Sequence, residues 1–188
     1  MLTAFDAFGG KRKNYSTEIL EAMSVDGVDV KRIYLPTIYY KSFNVLKLEI
    51  LNATPDIIVL TGEVTKRSNF VSFERFGANR IDSSAPDNLG RIIKDQKIID
   101  GAPGLLPTTF DYEPLQKILG NNCVECGYSQ SAGTYVCNEL LFRTLYFLQN
   151  NYPTTQCGFL HFSRFNITTA KSTAIAMSLG QYAKLLIS

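Results

Sequence analysis

The 188-residue chain has no tryptophan, one histidine and four cysteines. A single histidine excludes the two-Cys, two-His zinc sites. Cys123-Val-Glu-Cys126 has the two-residue spacing of a zinc or redox half-site, but no second such pair accompanies it, so no metal site is expected. Charge of one sign is not in excess either: nineteen Lys and Arg against seventeen Asp and Glu give a net charge of +2. That is no electrostatic footprint for phosphates, and nucleic acid is not an expected partner. No apolar run approaches the roughly 20 residues of a membrane helix, because Ile57 to Leu60 is soon followed by Glu63 and Lys66. Met1 to Gly10 lacks the basic and then apolar order of a secretory signal, so a cytoplasmic chain with free thiols is expected rather than a disulfide framework. Repeats, low-complexity tracts and Pro/Gly/Ser-rich linkers are missing, while 45% of residues are hydrophobic. Residues 1–188 are therefore read as one domain with a sizeable core.

Short apolar runs alternate with segments of helical period, the pattern of an α/β domain. Leu2 to Phe8 reads as a strand entering the Gly9-Gly10 turn, followed by a helix capped by Ser16 and carrying Ile19, Leu20 and Met23. A strand is expected over Val28 to Tyr34, a helix over Ser42 to Leu51, and a strand buried on both faces at Ile57 to Leu60. Gly62 to Asp100 is rich in turn formers and charges without periodicity, a long and therefore functional connection. A short helix at Tyr112 to Leu119 and a strand at Cys123 to Tyr128 come next. Thr134 then caps a helix through Val136, Leu140, Leu141, Thr144, Leu145 and Leu148; Gly158 to Phe162 is a buried strand and Thr173 to Leu186 a closing helix.

This reading puts Cys137 in the first turn of a helix, where backbone N–H groups and the positive end of the macrodipole favour thiolate over thiol. Cys137 is thus a nucleophile candidate. Its base would be His161, the sole imidazole, on a strand near the carboxyl edge where α/β sheets hold their sites. Periodicity alone equally allows Cys137 to be a small helix hydrophobe and His161 a satisfied core residue.

Five separated motifs resemble the pyroglutamyl peptidases of type I, also called pyrrolidone carboxyl peptidases. They are Phe5-Asp6-Ala7-Phe8-Gly9-Gly10 with Asn14; Leu35-Pro36-Thr37 with Lys41-Ser42 and Pro55-Asp56; Glu74-Arg75 with Asn79, Pro86-Asp87-Asn88 and Gly90; Ala132-Gly133-Thr134-Tyr135-Val136-Cys137-Asn138; and Gly158-Phe159-Leu160-His161. The resemblance covers nearly the whole chain. It implies a three-layer α/β/α sandwich around a mixed, mostly parallel sheet, and a cysteine exopeptidase acting on N-terminally pyroglutamylated peptides without a cofactor. It also implies Cys137 as nucleophile, His161 as base and Glu74 as the group orienting the imidazole. Phe5, Phe8, Asn14, Glu63, Ala85, Tyr135 and Val136 would surround the substrate, and a homo-oligomer, commonly a tetramer, is the family habit.

The departures lie in the substrate loops. Gly62-Glu63-Val64-Thr65-Lys66-Arg67 stands where the family usually has Gly-Gln-Ala-Gly-Gly-Arg, Ser83-Ser84-Ala85 replaces Ala-Arg-Ile, Glu139 replaces a histidine and Ala7 a proline. Glu63 would set an acceptor-only carboxylate where an amide both donates and accepts, so it is expected either to pair with Lys66 or Arg67 or to face solvent.

Overall fold

The computed structural model describes residues 1–24, 27, 29–65, 70–164 and 168–186. A six-stranded sheet runs through it, built from β1 (Leu2–Phe5), β2 (Arg32–Leu35), β3 (Ile57–Val64), β4 (Val71–Glu74), β7 (Cys126–Ser129) and β8 (Gln156–Ser163). The strand order is β2-β1-β3-β8-β4-β7. Every pairing is parallel except β4 with β8, so the sheet is mixed and mostly parallel, as expected. A separate antiparallel ribbon joins β5 (Phe76–Ala78) to β6 (Leu105–Pro107).

Period-two alternation on the central strands sorts the side chains into two cores. Ile58 and Leu60 of β3, with Cys157 and Phe159 of β8, pack under α2 (Lys41–Ala53) and α4 (Val136–Asn151). Val59, with Leu160 and Phe162, packs under α1 (Tyr15–Ala22), α3 (Glu113–Asn121) and α5 (Thr169–Leu185). In β4, Val71 and Phe73 join the second core, which leaves Ser72 and Glu74 on the α2/α4 side. The result is the expected three-layer α/β/α arrangement. Among the described residues no helix is long and apolar enough to cross a membrane.

Several boundaries differ from the sequence reading, each for a local reason. β1 ends at Phe5, because the chain turns away through Gly9 and Gly10 at φ +61° and +76°. Asn14 rather than Ser16 caps α1: Asn14 has extended backbone, and its Oδ1 accepts the Ser16 N–H at 3.0 Å. β2 begins only at Arg32, and Val28 lies outside the described residues. Tyr135, not Thr134, occupies the N-cap of α4; the Thr134 hydroxyl instead donates to the Asp82 carbonyl at 2.7 Å. α5 starts at Thr169, earlier than expected, behind a Thr168 cap. The largest difference is within 62–100, where β3 continues to Val64 and β4 and β5 follow in what reads as one loop. Four- and three-residue strands are too short to show a period.

Candidate active site

The β3–β8 register sets Gly62 directly beside His161, both on the α2/α4 face. Cys137, the second residue of α4, lies over the same spot: a Cβ built on Gly62 would stand 3.0 Å from Cys137 Sγ and 3.0 Å from Phe159 Cζ. Only glycine lets the sulfur come down onto β3 next to the imidazole. The two residues that sequence reasoning paired, 24 positions apart in the chain, are thus brought together by one strand register and one helix start.

Glu74 arrives from the other neighbour of β8. Antiparallel pairing places Ser72 opposite His161 and Glu74 opposite Phe159, so Glu74 stands two residues along on the same face. Its Oε1 lies 2.6 Å from His161 Nδ1, with side-chain exposures of 0% and 5%. A carboxylate can only accept, so Nδ1 carries a hydrogen and Nε2 is the nitrogen left to exchange a proton with a reacting group. The Phe159 ring, tilted at 48° and 4.7 Å from the imidazole, holds it from the side.

Aromatic side chains gather beside the start of α4, which carries the sulfur. Phe8, half-buried, sits 6.2 Å from Tyr135, which meets Tyr39 edge to face at 5.5 Å. The Tyr135 hydroxyl donates to the Pro86 carbonyl at 2.8 Å. Burial, with the negative charges of Asp87, Cys137 and Asp6 behind it, pushes that phenol up to about 12, so it remains a donor.

Four chain segments are tied together to make this wall. Asp6 Oδ1 accepts the Thr37 N–H at 2.7 Å and an amide hydrogen of Asn88 at 3.0 Å. Asp87 accepts the N–H groups of Tyr39, Leu89 and Arg91 and pairs with the Arg91 guanidinium. Burial alone would raise the Asp87 carboxyl, but these donors outweigh it and hold the group below the usual carboxylate range. Beside it, Glu139 is buried against Arg143 and accepts the Tyr40 N–H at 3.3 Å. Tyr40 has φ +67°, a left-handed conformation that a bulky residue adopts at a penalty of about 1–3 kcal/mol. Arg143 and Arg91 lie over its ring at 4.8 and 5.8 Å.

The remaining expected site residues are placed as follows. Phe5 and Val136 are buried in the α2/α4 core. Asn14 is taken up by its cap and by a 3.1 Å bond from its amide to the Asp6 carbonyl. Ala85 is exposed, its N–H bonded to Ser83 Oγ at 3.1 Å. Glu63 does not face solvent, and Lys66 and Arg67 lie outside the described residues. Instead its fully buried carboxylate accepts from Lys11, from the Tyr15 N–H at 2.7 Å and from Arg164 Nε at 3.2 Å. It thereby ties β3 to the start of α1, across the sheet from Gly62 and His161.

Sequence reasoning missed Tyr39 as a member of this aromatic cluster and Asp87 as its anchor. The Pro86-Asp87-Asn88 turn was the available signal. None of the four cysteines forms a disulfide. Burial pushes the Cys126 and Cys157 thiols up, whereas Cys137 has the helix start beside it. Among the described residues no cluster of three metal-ligating side chains occurs.

A family model described as "Pyroglutamyl peptidase" matches residues 1–184. The chain is 32% identical to the pyrrolidone-carboxylate peptidase of Thermococcus kodakarensis over 163 residues, 86% of this chain and 79% of that protein. It is also 32% identical to pyrrolidone-carboxylate peptidase 2 of Caldanaerobacter subterraneus, covering 99% of this chain and 91% of the relative. The crystal structure of pyroglutamyl peptidase I from Bacillus amyloliquefaciens superposes with a TM-score of 0.82 at 28% identity, over 99% of this chain and 90% of the other. Pyrrolidone carboxyl peptidase from Thermococcus litoralis gives a TM-score of 0.84 at 27% identity, over 98% and 91%.

Proposed function

The chain belongs to the pyroglutamyl peptidase family, and from that premise we propose that it is a cysteine exopeptidase releasing pyroglutamate from peptide N-termini through Cys137, His161 and Glu74. The observation that carries the assignment of roles is the convergence of Cys137 Sγ on Gly62, the register partner of His161, while Glu74 holds the far side of the ring.

The chemistry follows from the positions. The Cys137 sulfur, as thiolate, attacks the acyl carbonyl carried by the lactam ring, and the carbonyl π electrons move onto oxygen. Backbone N–H groups in the first turn of α4, that of Cys137 among them, are the donors for that oxyanion. The C–N bond then breaks, and the imidazolium gives its Nε2 proton to the departing amine, leaving a thioester. The neutral imidazole takes a proton from water as the water oxygen attacks the thioester carbonyl. Collapse breaks the C–S bond, frees pyroglutamate and returns the thiolate–imidazolium pair. Glu74 keeps Nδ1 protonated throughout, so Nε2 is always the nitrogen facing the sulfur.

The uncharged lactam would take its place in a cleft opened between Phe8, Tyr39 and Tyr135, whose flat apolar faces can desolvate a ring without stranding a charge. Phe5 and Val136 back this wall from the core, Asn14 and Ala85 belong to the segments that frame it, and the family habit makes a homo-oligomer the expected assembly. Residues 1–188 are read as a single domain around the one central sheet. The departures at Glu63 and Ser84 are the grounds for an alternative acyl or amide substrate; of these, Glu63 is engaged with Lys11, Tyr15 and Arg164 on the face of the sheet opposite His161.

The test is hydrolysis of pyroglutamyl-aminomethylcoumarin by wild type and Cys137→Ala, with iodoacetamide labelling at neutral pH. The expected outcome is turnover lost in the variant and Cys137 alkylated well before Cys123, Cys126 or Cys157. Equal turnover by the two proteins overturns the proposal.

A further inference from the structure

We propose that Tyr112 is a positioning residue for the His161–Glu74 pair: its hydroxyl sets the spacing between β4 and β8 at the point where Glu74 must meet the imidazole. The inference rests on the roles proposed above for Cys137, His161 and Glu74, and it concerns a residue outside every motif that identified them.

Glu74 and Phe159 are register partners at the end of the β4–β8 ladder. At this position the Tyr112 hydroxyl stands between the strands. It donates to the Glu74 carbonyl at 2.9 Å and accepts the Phe159 N–H at 3.0 Å. Thr108 Oγ1 adds a second donor to the same carbonyl at 3.2 Å. An oxygen inserted between N–H and C=O holds the two strands farther apart than a direct bond would, since one short contact becomes two in series. Beyond it β4 leaves β8, and the chain passes through Arg75 into β5.

Both strands carry site groups at this point. Glu74 presents its carboxylate to Nδ1, and Phe159 lays its ring against the imidazole. The hydroxyl therefore touches the backbones of two residues that orient His161 while touching no reacting atom. Tyr112 is itself rigid. It is buried, stacked on Phe73 at 5.0 Å and met edge-on by Phe110 and Tyr128. Burial pushes its phenol up, so the hydroxyl keeps the proton it donates. Gly158 makes room for it: a Cβ there would lie 2.8 Å from the Tyr112 oxygen and 2.7 Å from Phe110 Cβ. Removing the hydroxyl leaves the N–H and the carbonyl either to close into a direct bond, drawing Glu74 toward β8, or to stay unsatisfied. Either result disturbs a 2.6 Å contact that depends on strand spacing.

The test uses Tyr112→Phe, which keeps the ring, and Thr108→Val, which removes the weaker donor. Because His161 is the only histidine, its Nδ1–H can be followed without ambiguity as a downfield proton resonance. In Tyr112→Phe that resonance is expected to move upfield and exchange faster with water. The kcat for pyroglutamyl-aminomethylcoumarin should fall by about tenfold with KM changed less than about twofold, and the imidazole limb of the pH profile should shift. Thr108→Val should move the same readouts in the same direction by less, and it decides the matter alone if Tyr112→Phe does not fold. A lower melting temperature with unchanged resonance, kcat and pH profile overturns the proposal and leaves Tyr112 a packing residue. If wild type fails to cleave the coumarin substrate, the functional reading fails separately, and the His161 resonance still judges the positioning role.

Discussion

His161 Nδ1 and Glu74 Oε1 lie 2.6 Å apart in a site that water scarcely reaches, and the two residues come from neighbouring antiparallel strands. The contact fixes the tautomer as well as the ring plane. In Glu74→Gln the amide can accept through oxygen or donate through nitrogen, and donation would leave Nε2 protonated toward the sulfur. The expected result is a fall in kcat on the order of 10²- to 10⁴-fold with the melting temperature little changed. Steady-state kinetics with calorimetry on the same preparation checks both parts. Unchanged kcat would show that Glu74 does not orient the base.

Gly62 gives a second, independent handle on the same geometry. Its φ is not left-handed, so the requirement there is space. In Gly62→Ala the new methyl group meets Cys137 Sγ and the Phe159 ring at 3.0 Å, so the sulfur must lift away from the imidazole or the ring must turn. Overpacking of this kind destabilises by about 1–3 kcal/mol. Alkylation of Cys137 by iodoacetamide should slow at neutral pH, because a displaced sulfur loses the imidazolium that stabilises the thiolate. Alkylation at the wild-type rate would mean that the sulfur does not need this approach.

How far the site was legible depends on what kind of fact was sought. Cys137 and His161 could be nominated from residue type and element position alone, since a helix start and a strand edge are local properties of the chain. Glu74 could not. The alternation of Val71-Ser72-Phe73-Glu74 spans too few residues to separate a strand from a loop, and only pairing with β8 buries the carboxylate. The partners of Glu63 among the described residues, Lys11, Tyr15 and Arg164, were out of view for the related reason that they are non-local. Neighbouring Lys66 and Arg67 were the only cations that proximity in sequence could offer. The alternation of β3 did contain the needed information: Gly62 and Glu63 must face opposite sides, so a glycine under the sulfur puts the carboxylate on the α1 side.

That placement predicts a separation of stability from catalysis. Glu63→Leu leaves the Tyr15 N–H and the charges of Lys11 and Arg164 without their shared acceptor. Lys11 and Arg164 are about one-third exposed, so water softens the loss, and destabilisation of about 2 kcal/mol is expected. KM for the pyroglutamyl substrate should change by less than about threefold, since the side chain points across the sheet from the cleft. A large rise in KM at unchanged stability would instead return Glu63 to the substrate site.

Glu139 yields the pH dependence of the cleft wall. Burial pushes its carboxyl from 4.5 up to about 7, against the opposing pull of Arg143, the Tyr40 N–H and Arg91. A folded-state value above the unfolded one means that the folded chain binds the proton more tightly. Stability from this group is therefore present below about 4.5 and is lost as the pH rises toward 7. Asp87 works in the opposite sense, because its depressed carboxyl stabilises the fold above the ordinary carboxylate range and loses that contribution only in stronger acid. The two windows are separate, and over about pH 5 to about pH 8 the difference between the melting-temperature series of wild type and Glu139→Gln isolates Glu139. Glu139→Gln cannot ionise, and its curve should be flatter than that of wild type over that interval. Parallel curves would mean that Glu139 keeps its charge throughout, and that the Tyr40 corner is held by a permanent ion pair with Arg143.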